Sequence, residues 1–239
     1  MSFQDKLLDS FIAFEQVIDL DNPLHSVRKN ALKRFESDGF PTKKDELWKY
    51  TSLKSIIQKD YSLSVKSNPN VGLKDIEKYS INDIDSFKIV FVDGVFNPFL
   101  SNTTHDGMDI CVLSAALSKT KYKKTITKYF NKIVPDDQSL ASLNTSYTKE
   151  GAYIHIPKSV LPEDPVQILH FSSGKNKPLW LQPRNIIIVE ENARVEIIER
   201  HQSLRSHDGA TNSLTEIYAE KNSFIDYYKI QNDLETSNL

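Results

Sequence analysis

The chain has 239 residues, long enough for one large or two modest domains with a sizeable core, and its 39% apolar and 26% charged residues are ordinary for a soluble protein. Thirty basic against thirty-two acidic residues leave a net charge of −2, which excludes a global field for nucleic acid or anionic membrane. Apolar runs are too short to span a bilayer, the first six residues lack the pattern of a signal peptide, and a single cysteine excludes an internal disulfide, so a reducing, cytoplasmic setting is expected.

Phe3, Leu7, Leu8, Phe11, Phe14 and Ile18 recur at three- and four-residue steps, which predicts a helix over residues 3–18. A second helix is predicted over 23–38 with Val27, Ala31, Leu32 and Phe35 inward; Pro23 suits its first turn and Gly39 the left-handed position past its end. Thr42 is placed to cap a third helix with Asp45 at the capping-box position, and Trp48 and Tyr50 are expected as core anchors. Residues 60–85 are polar and irregular, with Asn68-Pro69-Asn70 as a loop.

Asp93-Gly94 between the runs 87–92 and 95–98 (Val95-Phe96-Asn97-Pro98) predicts a tight hairpin, because a type I′ turn needs positive φ at both central residues. The apolar run 108–113 reads as a strand in which Cys111 is a small buried hydrophobe. Tyr122, Ile126, Tyr129, Phe130 and Ile133 then mark one face of a helix, and Leu140, Leu143 and Tyr147 mark another.

From Gly151 onward strands and turns are expected, with strands over 153–156, 166–171, 186–189, 195–198, 214–218 and 224–230. Residues 189–199 repeat at residues 219–229, each copy joining two apolar runs through an acidic-Asn turn around Asn192 or Asn222. Short strands repeating at such a period are the mark of a solenoid, in which each coil covers its neighbour's apolar face. The predicted fold is mainly β with an α-helical N-terminal domain: a right-handed parallel β-helix, truncated, preceded by a helical head. Its divisions are a helical domain over 1–85, a mixed hairpin and helical connection over 86–150, and the first coils of the β-helix over 151–239.

Chemistry-bearing motifs are sparse. The seven glycines are too scattered for a phosphate-cradling loop or a nucleophile elbow, and neither H-E-x-x-H nor a thiolate cage can be drawn. His105-Asp106-Gly107 and His207-Asp208-Gly209 repeat a tripeptide, but this is also good turn chemistry, and His155 and His170 lie in strands where satisfied structural histidines are common. Glu190, Glu191, Glu196, Glu199 and Asp226 on the repeated strands could line a sugar-binding groove, as in β-helix polysaccharide lyases or hydrolases. The plainer reading is that they alternate outward from an apolar interior, with the aromatics at 224, 227 and 228 inside or on the edge. Lys119, Lys121, Lys123, Lys124, Lys128 and Lys132 crowd one stretch and read as a solvated surface rather than a nucleic-acid patch.

Several blocks together resemble the SufD family of Fe–S cluster assembly proteins. They are residues 31–35 (Ala-Leu-Lys-Arg-Phe), residues 39–51 around Phe40-Pro41-Thr42 and Trp48-Lys49-Tyr50-Thr51, then Phe91-Val92-Asp93-Gly94 and Leu143-Asn144-Thr145. Residues 166–169, residues 183–189 beginning Pro183-Arg184-Asn185, residues 211–217 and residues 227–231 continue the series, and Glu46-x-Trp48-x-Tyr50-Thr51 favours SufD over its paralogue SufB. The resemblance implies a non-enzymatic scaffold subunit that pairs with SufB and, through a C-terminal domain expected beyond Leu239, with the SufC ATPase. It also implies no cofactor in this chain, a nascent cluster being expected only in the full complex. The family's proposed cluster-site histidine belongs to later coils, so His155, His170, His201 and His207 are not assigned to it, and catalytic, cofactor and metal residues are all predicted as none. An uncovered final coil over 224–233 would invite a homodimer.

Overall fold

The computed structural model describes residues 2–18, 22–63, 71–81, 84–105, 107–174, 178–206 and 208–233. The Asn68-Pro69-Asn70 loop, Asp106 and His207 lie outside them. Helices occupy the N-terminal part and recur over residues 113–146, and sheets of mixed parallel and antiparallel pairing make up most of what remains.

Helix α1 (Phe3–Glu15) starts from Ser2, whose hydroxyl accepts from the Asp5 amide while Asp5 accepts from the Ser2 amide, a complete capping box. It buries Phe3, Leu7 and Phe11. Helix α2 (His25–Asp38) buries Ala31 and Phe35 as the periodicity predicts and stops at Gly39, φ 69°. It also buries Arg28, whose Nε donates to Thr148 O at 3.0 Å. The expected third helix is a single 3₁₀ turn over Glu46–Trp48: the Asp45 carboxylate accepts from the Thr42 amide at 2.6 Å and its hydroxyl at 3.1 Å and closes a turn. With no helix to present them, Leu47 is 74% and Tyr50 91% exposed and Trp48 is half-buried, so the core-anchor expectation fails here.

Two short helices, α3 (Lys54–Ile57) and α4 (Leu73–Ile76), precede strand β1 (Phe87–Val92). Asp93 (φ 51°) and Gly94 (φ 77°) turn β1 into β2 (Val95–Phe96), pairing Val92 with Val95 as predicted. Strand β3 (Asp109–Val112) leads into α5 (Leu113–Ser118), a helix the apolar run 108–113 does not announce. Helix α6 (Thr120–Tyr129) buries Tyr122 and Ile126. It ends before Asn131, φ 59°, which leaves Ile133 54% exposed instead of on the inward face. Helix α7 (Ser139–Ser146) buries Leu143.

The remaining strands are β4 (Ala152–Ile156), β5 (Val166–Ser172), β6 (Trp180–Leu181), β7 (Arg184–Val189), β8 (Arg194–Ser203), β9 (Ala210–Thr211), β10 (Leu214–Ala219) and β11 (Phe224–Asn232). The two-residue strands β6 and β9 are too short to leave a periodic trace. One sheet runs β11-β8-β5-β1-β2, a second β10-β7-β4-β3, and a third β6-β9. Strands β1, β5, β8 and β11 pair in parallel, as do β4, β7 and β10, while β2 and β3 join antiparallel. The sequence repeat is this pairing: Leu214 lies beside Arg184, and Phe224 beside Arg194.

Alternate residues of the two large sheets meet in a dry layer of Ile89, Val166, Ile168, Ile154, Ile187, Val189, Val195 and Ile197. On the outer face of β4 and β7, Tyr153, Ile186 and Ile188 are covered by α5 and α6 through Leu113, Leu117, Tyr122, Ile126 and Phe130. Val90, Val92, Leu169 and Phe171, outside β1 and β5, are covered by Val71 and Ile76. The N-terminal helices close on Trp180 and Leu143 through Phe3, Leu7 and Phe35.

Three of the blocks that carry the family resemblance converge at one buried junction. The Arg184 guanidinium meets Glu216 at 2.6 Å, Asn144 at 3.2 Å and Thr145 at 3.0 Å, and stacks 4.7 Å over Phe130. Asn144 Nδ2 donates to Pro183 O and Asn212 O. Beside this junction the chain enters β4 at Gly151, where an added Cβ would stand 1.8 Å from Arg184 O, closer than any side chain can fit. Among the described residues no helix is long and apolar enough to cross a membrane.

Candidate functional site

On β8 the side chains of Val195, Ile197, Glu199 and His201 alternate onto the same inward face. The first two extend the dry layer; the next two turn its far end polar. His201 lies beside His170 on β5, and His170 beside Phe91 on β1. Their rings form a stack, Phe91 to His170 at 4.9 Å and 14° and His170 to His201 at 4.6 Å and 13°.

Glu199 is completely buried. Its Oε1 accepts from His201 Nε2 at 2.7 Å, and its Oε2 from Thr215 Oγ1 at 2.9 Å, Asn185 Nδ2 at 3.1 Å and Tyr227 Oη at 2.5 Å. Lys229 Nζ stands 3.5 Å away. Burial raises the Glu199 pKa, but the His201 hydrogen bond and the neighbouring His170, His201 and Lys229 outweigh it and hold the group well below the usual carboxylate range. Glu199 is therefore a carboxylate, and the His201 nitrogen facing it carries the proton. His170 is pushed down to about 3, first by burial and then by His201, so its imidazole is neutral at pH 7. Its Nε2 is buried with no hydrogen-bond partner among the described residues. A cavity of about 10 Å³ adjoins the two rings, bounded also by Leu181, Gln202, Thr211 and Asp233.

His170, Glu199 and His201 are the group of metal-ligating side chains gathered among the described residues, their donor atoms all within 4.8 Å. Sequence reasoning missed the grouping. Glu199 belongs with the carboxylates expected to alternate outward; it faces inward because it shares the parity of Val195 and Ile197. Glu199-x-His201 is a same-face spacing on a strand and was the available signal. The stacking partner His170 depends on strand register.

The other sequence candidates lie apart from this cluster. His155 bridges two carboxylates on the outer face, with Nε2 2.9 Å from Glu190 and Nδ1 3.4 Å from Asp109. Glu191 pairs with Lys158, and Glu196 and Asp226 both pair with Arg194. Phe224 and Tyr228 are exposed rather than packed inside, while Tyr227 reaches in to Glu199. His105 packs edge-on against Phe87 at 4.9 Å. Lys121 meets Asp109 and Lys128 approaches Glu220. Cys111 packs partly buried on the α5–α6 side, away from the cluster.

Residues 1–168 match the family model described as the SufBD protein N-terminal region, and residues 170–238 match the SufBD core domain of the SUF system for FeS cluster assembly. An iron-sulfur cluster assembly SufBD family protein of Synechocystis is 24% identical over 221 residues, covering 89% of this chain and 48% of the relative. The Bacillus subtilis iron-sulfur cluster assembly protein SufD is 25% identical over 124 residues, 51% of this chain and 27% of its own, and B. subtilis SufB is 30% identical over 101 residues, 42% of this chain and 21% of its own. The chain thus spans about half the length of the Synechocystis relative and less of the two others. With both family domains matched in order along its length, this chain belongs to the SufBD family of iron–sulfur cluster assembly proteins.

Proposed function

We propose that the chain acts as a non-catalytic scaffold subunit of a Suf-type iron–sulfur cluster assembly complex in the cytoplasm, of the SufD kind, pairing with a SufB-type subunit. The observation that carries this reading is the ordered match to both SufBD domains, together with relatives named SufD and SufB. The sheets support the architecture expected of such a scaffold. Parallel ladders through β5-β8-β11, β4-β7-β10 and β6-β9, whose pairs β8-β11, β7-β10 and β6-β9 advance by the same chain step, are what stacked coils of a right-handed parallel β-helix produce. Strands β10 and β11 end their sheets among the described residues, and β11 exposes Phe224 and Tyr228. Such an end favours strand addition, by further coils, by a SufB-type partner or by a second copy. Contact with a SufC-type ATPase belongs to the same reading, through a domain of the kind the family resemblance implies.

Co-expression of the tagged chain with SufB-type and SufC-type subunits of its own organism tests the proposal. The SufB-type subunit is expected in the eluate at a fixed ratio. Elution of the folded chain with neither subunit overturns the scaffold reading.

A further inference from the structure

We infer that His170, Glu199 and His201 form a binding site for one divalent transition-metal ion of the iron, cobalt and zinc class. This inference stands on the side-chain cluster and is independent of the scaffold reading.

Two imidazoles and one carboxylate are the donor set such ions prefer, and the three donors already lie within 4.8 Å of one another. Atoms bound to one ion at about 2.1 Å stand about 3.4 Å apart in a tetrahedral arrangement, so the site closes with side-chain rotations of about 1 Å. A thiolate is not within the set: Cys111 sits on the outer face with α5 and α6. The chemistry is therefore that of a mononuclear ion rather than a thiolate-held cluster.

His170 supplies the independent pointer. Its Nε2 is a buried nitrogen without a partner among the described residues, on a side chain more than nine-tenths buried. Most buried polar atoms in proteins find a partner, and among the unpartnered ones here His170 Nε2 is the one that stands beside a second imidazole and a carboxylate, where a metal ion is the partner an open imidazole nitrogen accepts readily. The remaining shell is already built. Asn185, Thr215 and Tyr227 grip the second oxygen of Glu199 and leave Oε1 directed at His201. Second-shell bonds of this kind orient ligating carboxylates. The adjoining cavity, about 10 Å³, holds a single water-sized body, the room an exogenous ligand needs.

Binding changes the local charge in a defined way. As His201 Nε2 exchanges its hydrogen bond to Glu199 for a metal bond, the ring proton passes to Nδ1, so a neutral imidazole ligates M²⁺ and the buried carboxylate gains a divalent counter-charge. The Lys229 ammonium, 3.5 Å from Glu199 Oε1 on a side chain about a third exposed, moves outward as the ion takes over its role as counter-charge.

The test uses the untagged 239-residue chain, stripped with a chelator and titrated separately with Co²⁺ and Zn²⁺, with bound metal measured after equilibrium dialysis. Wild type is expected to bind one equivalent of each, Co²⁺ giving the visible bands of a protein-bound ion. His170→Phe keeps an aromatic ring in the stack and removes the nitrogen; it should weaken binding at least about 100-fold. His170→Asn serves the same comparison if the first variant melts below the working temperature. His155→Asn, on the outer face, should bind as wild type does. Failure of wild type to bind either ion stoichiometrically, or equal binding by wild type and the His170 variant, overturns the inference.

Discussion

Asn192 and Asn222 occupy the same place in successive repeats: both have positive φ, 59° and 56°, and Asn222 Nδ2 donates to Asn192 Oδ1 at 3.2 Å across 30 residues of chain. Each lies in the turn between two consecutive strands, β7 to β8 and β10 to β11. A left-handed conformation costs an ordinary L-residue roughly 1–2 kcal/mol and asparagine less, so the turn chemistry selects this residue at this spacing. Asn192 N also donates to Lys221 O at 3.0 Å, which ties the two turns together. Replacement of Asn222 by Val should therefore lower unfolding free energy by about 1–2 kcal/mol, whereas Asn222→Gly should stay within about 0.5 kcal/mol. Urea midpoints at constant slope measure both; equal losses would show that the φ requirement is not the cause.

The Arg184–Glu216 pair is fully buried, with side-chain exposures of 0% and 1%. Removing one member leaves the other as an uncompensated charge inside the protein, while removing both does not. Arg184→Met is expected to cost about 3–5 kcal/mol, and Arg184→Met with Glu216→Leu clearly less than the single change. A double-mutant cycle by chemical denaturation decides the matter. Additive losses would mean that Asn144, Thr145 and the Phe130 ring, rather than Glu216, carry the junction.

Burial pushes the Cys111 thiol up to about 11, outweighing the opposing pull of Lys119. A raised thiol pKa leaves less thiolate at a given pH, and the thiolate is the reactive form. At pH 8 the native chain should react with iodoacetamide roughly two orders of magnitude more slowly than a free cysteine, recovering the ordinary rate in denaturant. Native alkylation at the denatured rate would place the thiol in contact with solvent and contradict its packing beside α5.

Where information was local, the sequence carried it. Asp93-Gly94 reads as a hairpin because both residues must take positive φ, and both do. Helix α1 and the strands β4, β5, β7, β8, β10 and β11 follow from apolar spacing alone, and Gly39 ends α2 as its position predicts. Thr42 and Trp48 misled for the converse reason. The Asp45 carboxylate satisfied the Thr42 amide within a turn, and the cap signature closed that turn instead of opening a helix. Ile133 fell outside the predicted face because Asn131 reversed the chain before the periodicity ended.

By itself, then, the sequence determined the family blocks, the hairpin and the repeated pair of strands, each written in neighbouring residues or in identity at a constant offset. Only the tertiary structure decided the buried cluster. His170 meets His201 because β5 and β8 pair at a step one residue longer than the one joining β8 to β11, so the two histidines fall outside the visible repeat. Glu199 reaches them because the parity of β8 sends it inward with Val195 and Ile197. Register and parity are set by how whole strands pack against a shared core, and no short stretch of chain encodes them.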